Sequence, residues 1–198
     1  INQPRLCHSG KRSDYMKKSI SDFIEQFNKN DKIFNQLLSK FKKDFDNSSV
    51  NKIKLYVSNI QDDFMDMYDD LIHEISHSLE ESHGYFIYGD KKIEQEFLRK
   101  RKHLHDMLWQ KGVKTPLSSF MEPEYDQEFD MFLYQKIGYD KLSGIMTGLF
   151  LTPYAATSLR EYFATGFTEF YLHPETHDFF KKVSPELYKK IFLLQDPE

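Results

Sequence analysis

The stretch that most constrains this chain lies at residues 69–84, which read DDLIHEISHSLEESHG. Its apolar residues recur at helical spacing and predict one amphipathic helix, which Gly84 is expected to end. Within that helix, HEISH places His73 and His77 four residues apart. Positions i and i+4 lie on the same helical face, so both imidazoles could point at one metal ion. The predicted apolar face comprises Phe64, Tyr68, Leu71, Ile72, Ile75 and Leu79.

Two histidines do not complete a zinc site, because zinc prefers four ligands and a catalytic site keeps one position for water. The third protein ligand has to be a downstream histidine, Cys7, or an acidic residue on another helix. We choose Glu161, which lies early in an aromatic-rich segment where an unpaired inward carboxylate would be costly to bury. Ser158 and Glu161 also fit the S-x-x-E capping box, in which the glutamate only bonds back to the helix start. Both readings of Glu161 are open at this point.

Glu74 is the candidate general base. It follows His73 directly but is rotated by about 100° on the helix, so it can accept a proton from water without binding the metal. Water in the fourth zinc position would have a pKa of roughly 7. The HExxH pattern also arises by chance, so a solvated polar helix is the alternative. The remaining histidines are expected at the surface or at helix ends: His83, His103, His105, His173 and His177.

The overall composition is that of a globular domain, with 16% aromatic residues and a formal net charge of −4. This charge gives no reason to expect a nucleic-acid partner. No segment approaches the roughly 20 apolar residues that a membrane span needs. The chain starts INQPRLCHSGKRS, without an initiator Met or an apolar signal core, and we interpret it as a piece of a longer or processed protein. The sequence assigns neither an oligomeric state nor a compartment.

The first part of the chain reads as helical, with one strand. Apolar residues at helical spacing predict helices over residues 20–27 and 33–45. The segment Lys52–Ser58 alternates apolar and polar residues, which predicts a half-buried strand.

Further helices are predicted after Gly84. They run through KKIEQEFLRKRKHLHDMLWQK, over Gln127–Ile137, through TSLREYFATGFTEFYLH and through SPELYKKIFLL. In the last of these, Ser184 is the expected N-cap and Pro185 the first helical residue. The acidic stretch EPEYDQEFD is interpreted as solvated surface.

HEISH and the later stretch YAATSLREYFA together resemble the catalytic core of the anthrax lethal factor family and the related clostridial proline-proline endopeptidases, which are gluzincin zinc proteases. The resemblance implies that His73, His77 and Glu161 bind one zinc ion, as the family's two histidines and glutamate do. It also implies that Glu74 is the base. Tyr154 lies seven residues ahead of Glu161 and matches the family's catalytic tyrosine, whose hydroxyl is taken to stabilise the oxyanion.

The chain departs from the family pattern at two places. Thr165 stands where the family has a second glutamate, so the carboxylate that should orient a ligand histidine is missing or is replaced, with Glu169 as the candidate. The stretch between the HExxH helix and the tyrosine is also longer than in the family, and we interpret residues 88–148 as an insertion that could form a lid or a substrate wall. The resemblance covers roughly residues 52–84 and 154–194.

We therefore predict an α+β, mainly helical, zincin-like fold, with a small sheet, an active-site helix and a C-terminal helical part. Residues 1–198 are expected to form a single metallopeptidase domain. Its predicted function is that of a zinc-dependent endopeptidase acting on proteins or peptides. The resemblance implies a secreted or delivered bacterial protein, or a virion-associated one. The alternatives are a non-catalytic binding or structural module of a toxin or phage, and a zinc hydrolase that acts on another kind of bond.

Overall fold

A computed structural model describes the backbone of residues 15–19, 54–58 and 64–195, and the side chains of residues 68–195. The described part of the chain is mainly helical. Strands β1 (Tyr15–Ser19) and β2 (Lys54–Ser58) pair antiparallel, with Tyr15 opposite Ser58 and Ser19 opposite Lys54. Strand β2 lies within the segment predicted as a strand, whereas β1 was not predicted. The helices predicted over 20–27 and 33–45 lie outside the described residues.

Seven α-helices account for most of the described residues. The helix Gln127–Met131 continues directly into a π-helical turn at Phe132–Ile137, and the two together span the predicted Gln127–Ile137 helix. Short 3₁₀ turns lie at Leu117–Phe120, Tyr154–Ala156 and Pro174–Thr176. The α-helices are α1 (Phe64–Tyr88), α2 (Lys92–Gln110), α3 (Gln127–Met131), α4 (Tyr139–Ile145), α5 (Leu159–Leu172), α6 (His177–Val183) and α7 (Pro185–Leu194).

Helix α1 carries the HEISH motif and is longer than predicted. The expectation that Gly84 ends it is wrong, because the helix continues to Tyr88. A glycine inside a helix costs only about 1 kcal/mol relative to alanine, and the following turn contributes the fully buried Ile87. The predicted apolar face is confirmed where side chains are described, since its members from Tyr68 onward are buried: Tyr68, Leu71, Ile72, Ile75 and Leu79.

The chain divides into two compact units, one ending at Gly84 and the other beginning at Tyr85. In the second unit, α7 contacts α2, α5 and α6. The approach of α5 to α7 is close at Gly166, where an added Cβ would lie 2.5 Å from a methyl group of Leu187. Whether the whole chain acts as the predicted single metallopeptidase domain stays a prediction.

The acidic stretch at the start of α3 is largely solvated, as predicted. Asp126 is exposed and caps α3 by accepting hydrogen bonds from the backbone N–H groups of Glu128 and Phe129. Asp130 is the exception, because it is 4% exposed and accepts hydrogen bonds from the hydroxyls of Tyr125 and Tyr139. None of the described helices has the length and apolar character needed to cross a membrane.

Candidate metal site

Helix α1 brings the two motif histidines together on one face. The ring centroids of His73 and His77 are 5.0 Å apart, as expected for residues one helical turn apart. His73 is buried and His77 partly buried. Nδ1 of His77 lies 3.7 Å from a carboxylate oxygen of Glu80, one turn further along. Glu74 is partly exposed, so it is open to solvent water beside a buried ligand candidate.

Glu161 lies in the first turn of α5, where the serine half of the predicted capping box is formed. The Ser158 hydroxyl accepts a hydrogen bond from the Glu161 backbone N–H at 3.2 Å, so Ser158 is a true N-cap. This bond involves the backbone N–H of Glu161, so it does not determine the direction in which the Glu161 carboxylate points. The cap therefore fixes where the side chain of Glu161 begins.

The structure places one ligand atom each from His73, His77 and Glu161 within 4.8 Å of one another. This is the one such group found in the described part of the chain. Nitrogen and oxygen ligands at about 2.1 Å from a tetrahedral zinc ion are separated by about 3.4 Å. Movements of at most about 0.8 Å by each ligand atom would bring the group from 4.8 Å to that spacing. Two imidazoles and one carboxylate are also a known donor set of catalytic zinc, so these residues fit a zinc ion.

Tyr154 begins the 3₁₀ turn that leads into α5. Its backbone carbonyl accepts hydrogen bonds from the Thr157 backbone N–H at 3.0 Å and from the Thr157 hydroxyl at 2.8 Å. Its side chain is partly exposed. The predicted catalytic tyrosine therefore stands on a hydrogen-bonded turn just ahead of the helix that carries Glu161.

The position of the family's second glutamate is occupied by Thr165, which is buried. Glu169, the candidate replacement, lies eight residues after Glu161, or about 12 Å along the helix. Its carboxylate accepts a hydrogen bond from the Thr176 hydroxyl at 2.6 Å, and its role beside a ligand histidine stays a prediction.

The five histidines predicted to have no site role lie outside the metal-binding group. Two of them bond to backbone carbonyls through Nε2. His105 contacts the Thr115 carbonyl at 3.0 Å, and His177 contacts the Phe170 carbonyl at 2.8 Å.

A buried polar network next to Glu161 was missed by the sequence reading. The Tyr162 hydroxyl donates to Glu96 at 2.7 Å, and Glu96 is 2% exposed. The Glu96 carboxylate also accepts from the backbone N–H groups of Glu186 at 2.9 Å and Leu187 at 3.2 Å. Glu96 lies in the charged run KKIEQEFLRKRK, which has the composition of a solvated helix face, so no local signal could have singled it out.

Lys100 extends this network. Its ammonium donates to the Ser184 hydroxyl at 2.6 Å and lies 4.9 Å from the ring centroid of Tyr162. Burial lowers the pKa of Lys100 to about 8, and nearby Glu96 opposes part of that shift. Burial, and then the charge of Glu96, hold the pKa of Tyr162 well above its usual value. Tyr162 is therefore a neutral hydrogen-bond donor throughout the physiological range.

Comparison with protein-family models, with curated proteins and with solved structures finds no match to this chain. The resemblance to lethal factor-like proteases thus rests on the two sequence motifs.

Proposed function

We propose that this chain is a zinc-dependent endopeptidase in which His73, His77 and Glu161 bind the metal. The observation that carries this proposal is the convergence of their ligand atoms within 4.8 Å, because these residues come from segments 84 positions apart in sequence. A chance HExxH pattern on a polar helix gives no reason for a third ligand to lie beside it. When bound, zinc would supply a Lewis acid and lower the pKa of a bound water to about 7.

Two other residues of this chain would handle protons and charge. Glu74 adjoins a ligand histidine and would take the proton of the attacking water, hold it, and deliver it to the leaving amine. Tyr154 would donate its hydroxyl hydrogen bond to the oxyanion that develops on the scissile carbonyl. Both roles follow from the resemblance to lethal factor-like proteases, and both residues are partly exposed, which leaves them accessible to a substrate.

The test is a digestion of a diverse peptide library by the zinc-loaded protein, read by mass spectrometry, beside the Glu74→Gln variant. We expect peptide cleavage that falls by about 10²–10⁴-fold in Glu74→Gln while zinc is retained, because only the proton acceptor is removed. His77→Ala and Glu161→Ala should lose zinc as well as activity. Full activity in Glu74→Gln would contradict the proposal.

A non-catalytic binding module is the second candidate. The observation that favours it is the buried Thr165 at the position of the family's second glutamate, together with the bonding of Glu169 to Thr176. A protein that binds one zinc ion, cleaves no peptide in the library and retains intact partner proteins would support this module. Site-specific cleavage would exclude it.

A further inference from the structure

We propose that Tyr162 and Glu96 are positioning residues for the metal ligand Glu161, acting by fixing the first turn of α5. The inference rests on the metal site put forward above. It extends that site to a buried anchor that touches neither the metal ion nor the substrate.

The first turn of α5 is held at two points. Ser158 caps it through the Glu161 backbone N–H, and the next residue, Tyr162, bonds through its hydroxyl to Glu96. Successive residues on a helix are rotated by about 100°. Once the Tyr162 side chain is fixed, the direction in which the Cβ of Glu161 leaves the helix is fixed with it.

The Tyr162 ring has little room to move. It is fully buried, and its centroid lies 5.5 Å from that of Phe97 and 5.8 Å from that of Phe150. The Lys100 ammonium lies over its face. A ring enclosed on several sides cannot follow a rotation of α5 without disturbing α2 and the segment that leads into the 3₁₀ turn at Tyr154.

Glu96, which accepts the hydrogen bond of Tyr162, is itself held in place by further hydrogen bonds. Its two oxygens accept hydrogen bonds from the backbone N–H groups of Glu186 and Leu187 at the start of α7. Hydrogen bonds to a carboxylate are stronger than neutral ones, and a buried carboxylate that loses a donor is destabilised. Glu161 is thus connected through Tyr162 and Glu96 to two other helices.

The test compares Tyr162→Phe with Tyr188→Phe. Each variant loses one tyrosine hydroxyl, but the Tyr188 hydroxyl contacts Nδ1 of His177 at 3.3 Å, away from the first turn of α5. Zinc affinity is measured by competition with a chelator, and ligand geometry by the absorption spectrum of the Co²⁺-loaded protein. We expect Tyr162→Phe to bind zinc about 10-fold more weakly and to change the Co²⁺ spectrum. Tyr188→Phe should stay within about twofold of the unmodified protein, even if it loses as much stability.

Zinc affinity and a Co²⁺ spectrum unchanged in Tyr162→Phe would overturn the positioning role. If that variant does not fold, Glu96→Gln serves instead, since it retains an acceptor oxygen but loses the charge. It should also weaken zinc binding, and unchanged affinity would overturn the proposal equally. A failure of the proposed peptidase function would give another result. The unmodified protein would then bind zinc, and Tyr162→Phe would still weaken that binding, but no peptide would be cut. An unmodified protein that binds no zinc would overturn both.

Discussion

Helices α5 and α7 both begin after a serine, but their first backbone N–H groups are satisfied in different ways. At α5, Ser158 accepts from the Glu161 N–H and follows the local capping rule. At α7, the Ser184 side chain makes no capping bond and instead accepts from Lys100. The capping acceptor there is Glu96, about 90 residues earlier in the chain. Similar local sequence can therefore begin a helix by a local bond or by a tertiary one.

The largest expected effect comes from removing the tertiary cap. Glu96→Ala leaves two backbone N–H groups and the Tyr162 hydroxyl without their acceptor, and leaves Lys100 without a nearby negative charge. We expect a loss of about 3–5 kcal/mol in the free energy of unfolding, measured by urea titration. Glu94→Ala is the matched control, because Glu94 pairs with Lys91 nearer the surface, and it should cost about 0.5 kcal/mol or less. Equal losses in the two variants would show that Glu96 does not cap α7.

The next effect is a dependence of stability on pH that arises from Lys100. Its folded-state pKa of about 8 lies below the ordinary lysine pKa of 10.5, because the side chain is buried. Below about pH 8 the amine is protonated in both the folded and the unfolded chain, so Lys100 adds no pH dependence. Above that, the unfolded chain binds more protons, so stability should rise with pH. Between about pH 8 and pH 9.5 the gain should be about 1.5 kcal/mol, before the tyrosines of the unfolded chain titrate.

Lys100→Met isolates this contribution, because all other titrating groups remain. We expect the difference in unfolding free energy between this variant and the unmodified protein to change by that amount over the same pH range. The measurement is a set of urea titrations at closely spaced pH values. A difference independent of pH would mean that Lys100 keeps its ordinary pKa in the folded protein.

The local cap should give the smallest effect. Ser158→Ala removes the hydroxyl that accepts from the Glu161 N–H, and we expect a loss of about 1 kcal/mol in urea. Ser118→Ala, at an exposed position in the 3₁₀ turn Leu117–Phe120, is the control and should be nearly neutral. If Ser158→Ala destabilised as much as Glu96→Ala, the contrast between the two helix starts would be wrong.

The same contrast separates what could be predicted from the sequence from what could not. Helical periodicity predicted the buried face of α1, and Pro185 marked the start of α7 correctly. From the HExxH spacing and the position of Glu161 we predicted His73, His77 and Glu161 as metal ligands, and the structure brings these three residues together. The buried face of α1 and the start of α7 depend on residues close in sequence, and the spacing of the two histidines is set by the helix itself. Glu161 was instead chosen for its place in an aromatic-rich segment and for its match to the family motif.

What escaped prediction depends on distant contacts. Gly84 was expected to end α1, but the apolar residues beyond it are used in the fold and the helix continues. Ser184 takes the N-cap position of α7 as expected, but its side chain makes no capping bond, and no pattern near it reveals that Glu96 accepts those hydrogen bonds. Asp130, in a stretch that reads as solvated surface, is buried against two tyrosine hydroxyls. In each case the deciding contact comes from tertiary packing, on which local propensity gives no information.

The burial of Lys100 also makes this residue a chemical reporter of opening motions. The residue is only 8% exposed, so a reagent in solution does not reach its amine in the folded protein. Acetylation of Lys100 by a water-soluble reagent should therefore proceed only when the structure opens locally. Lys102, two residues further on the same helix with a side chain 54% exposed, should react without any opening. The ratio of the two acetylation rates would measure how often the helix around Glu96 exposes its interior to solvent.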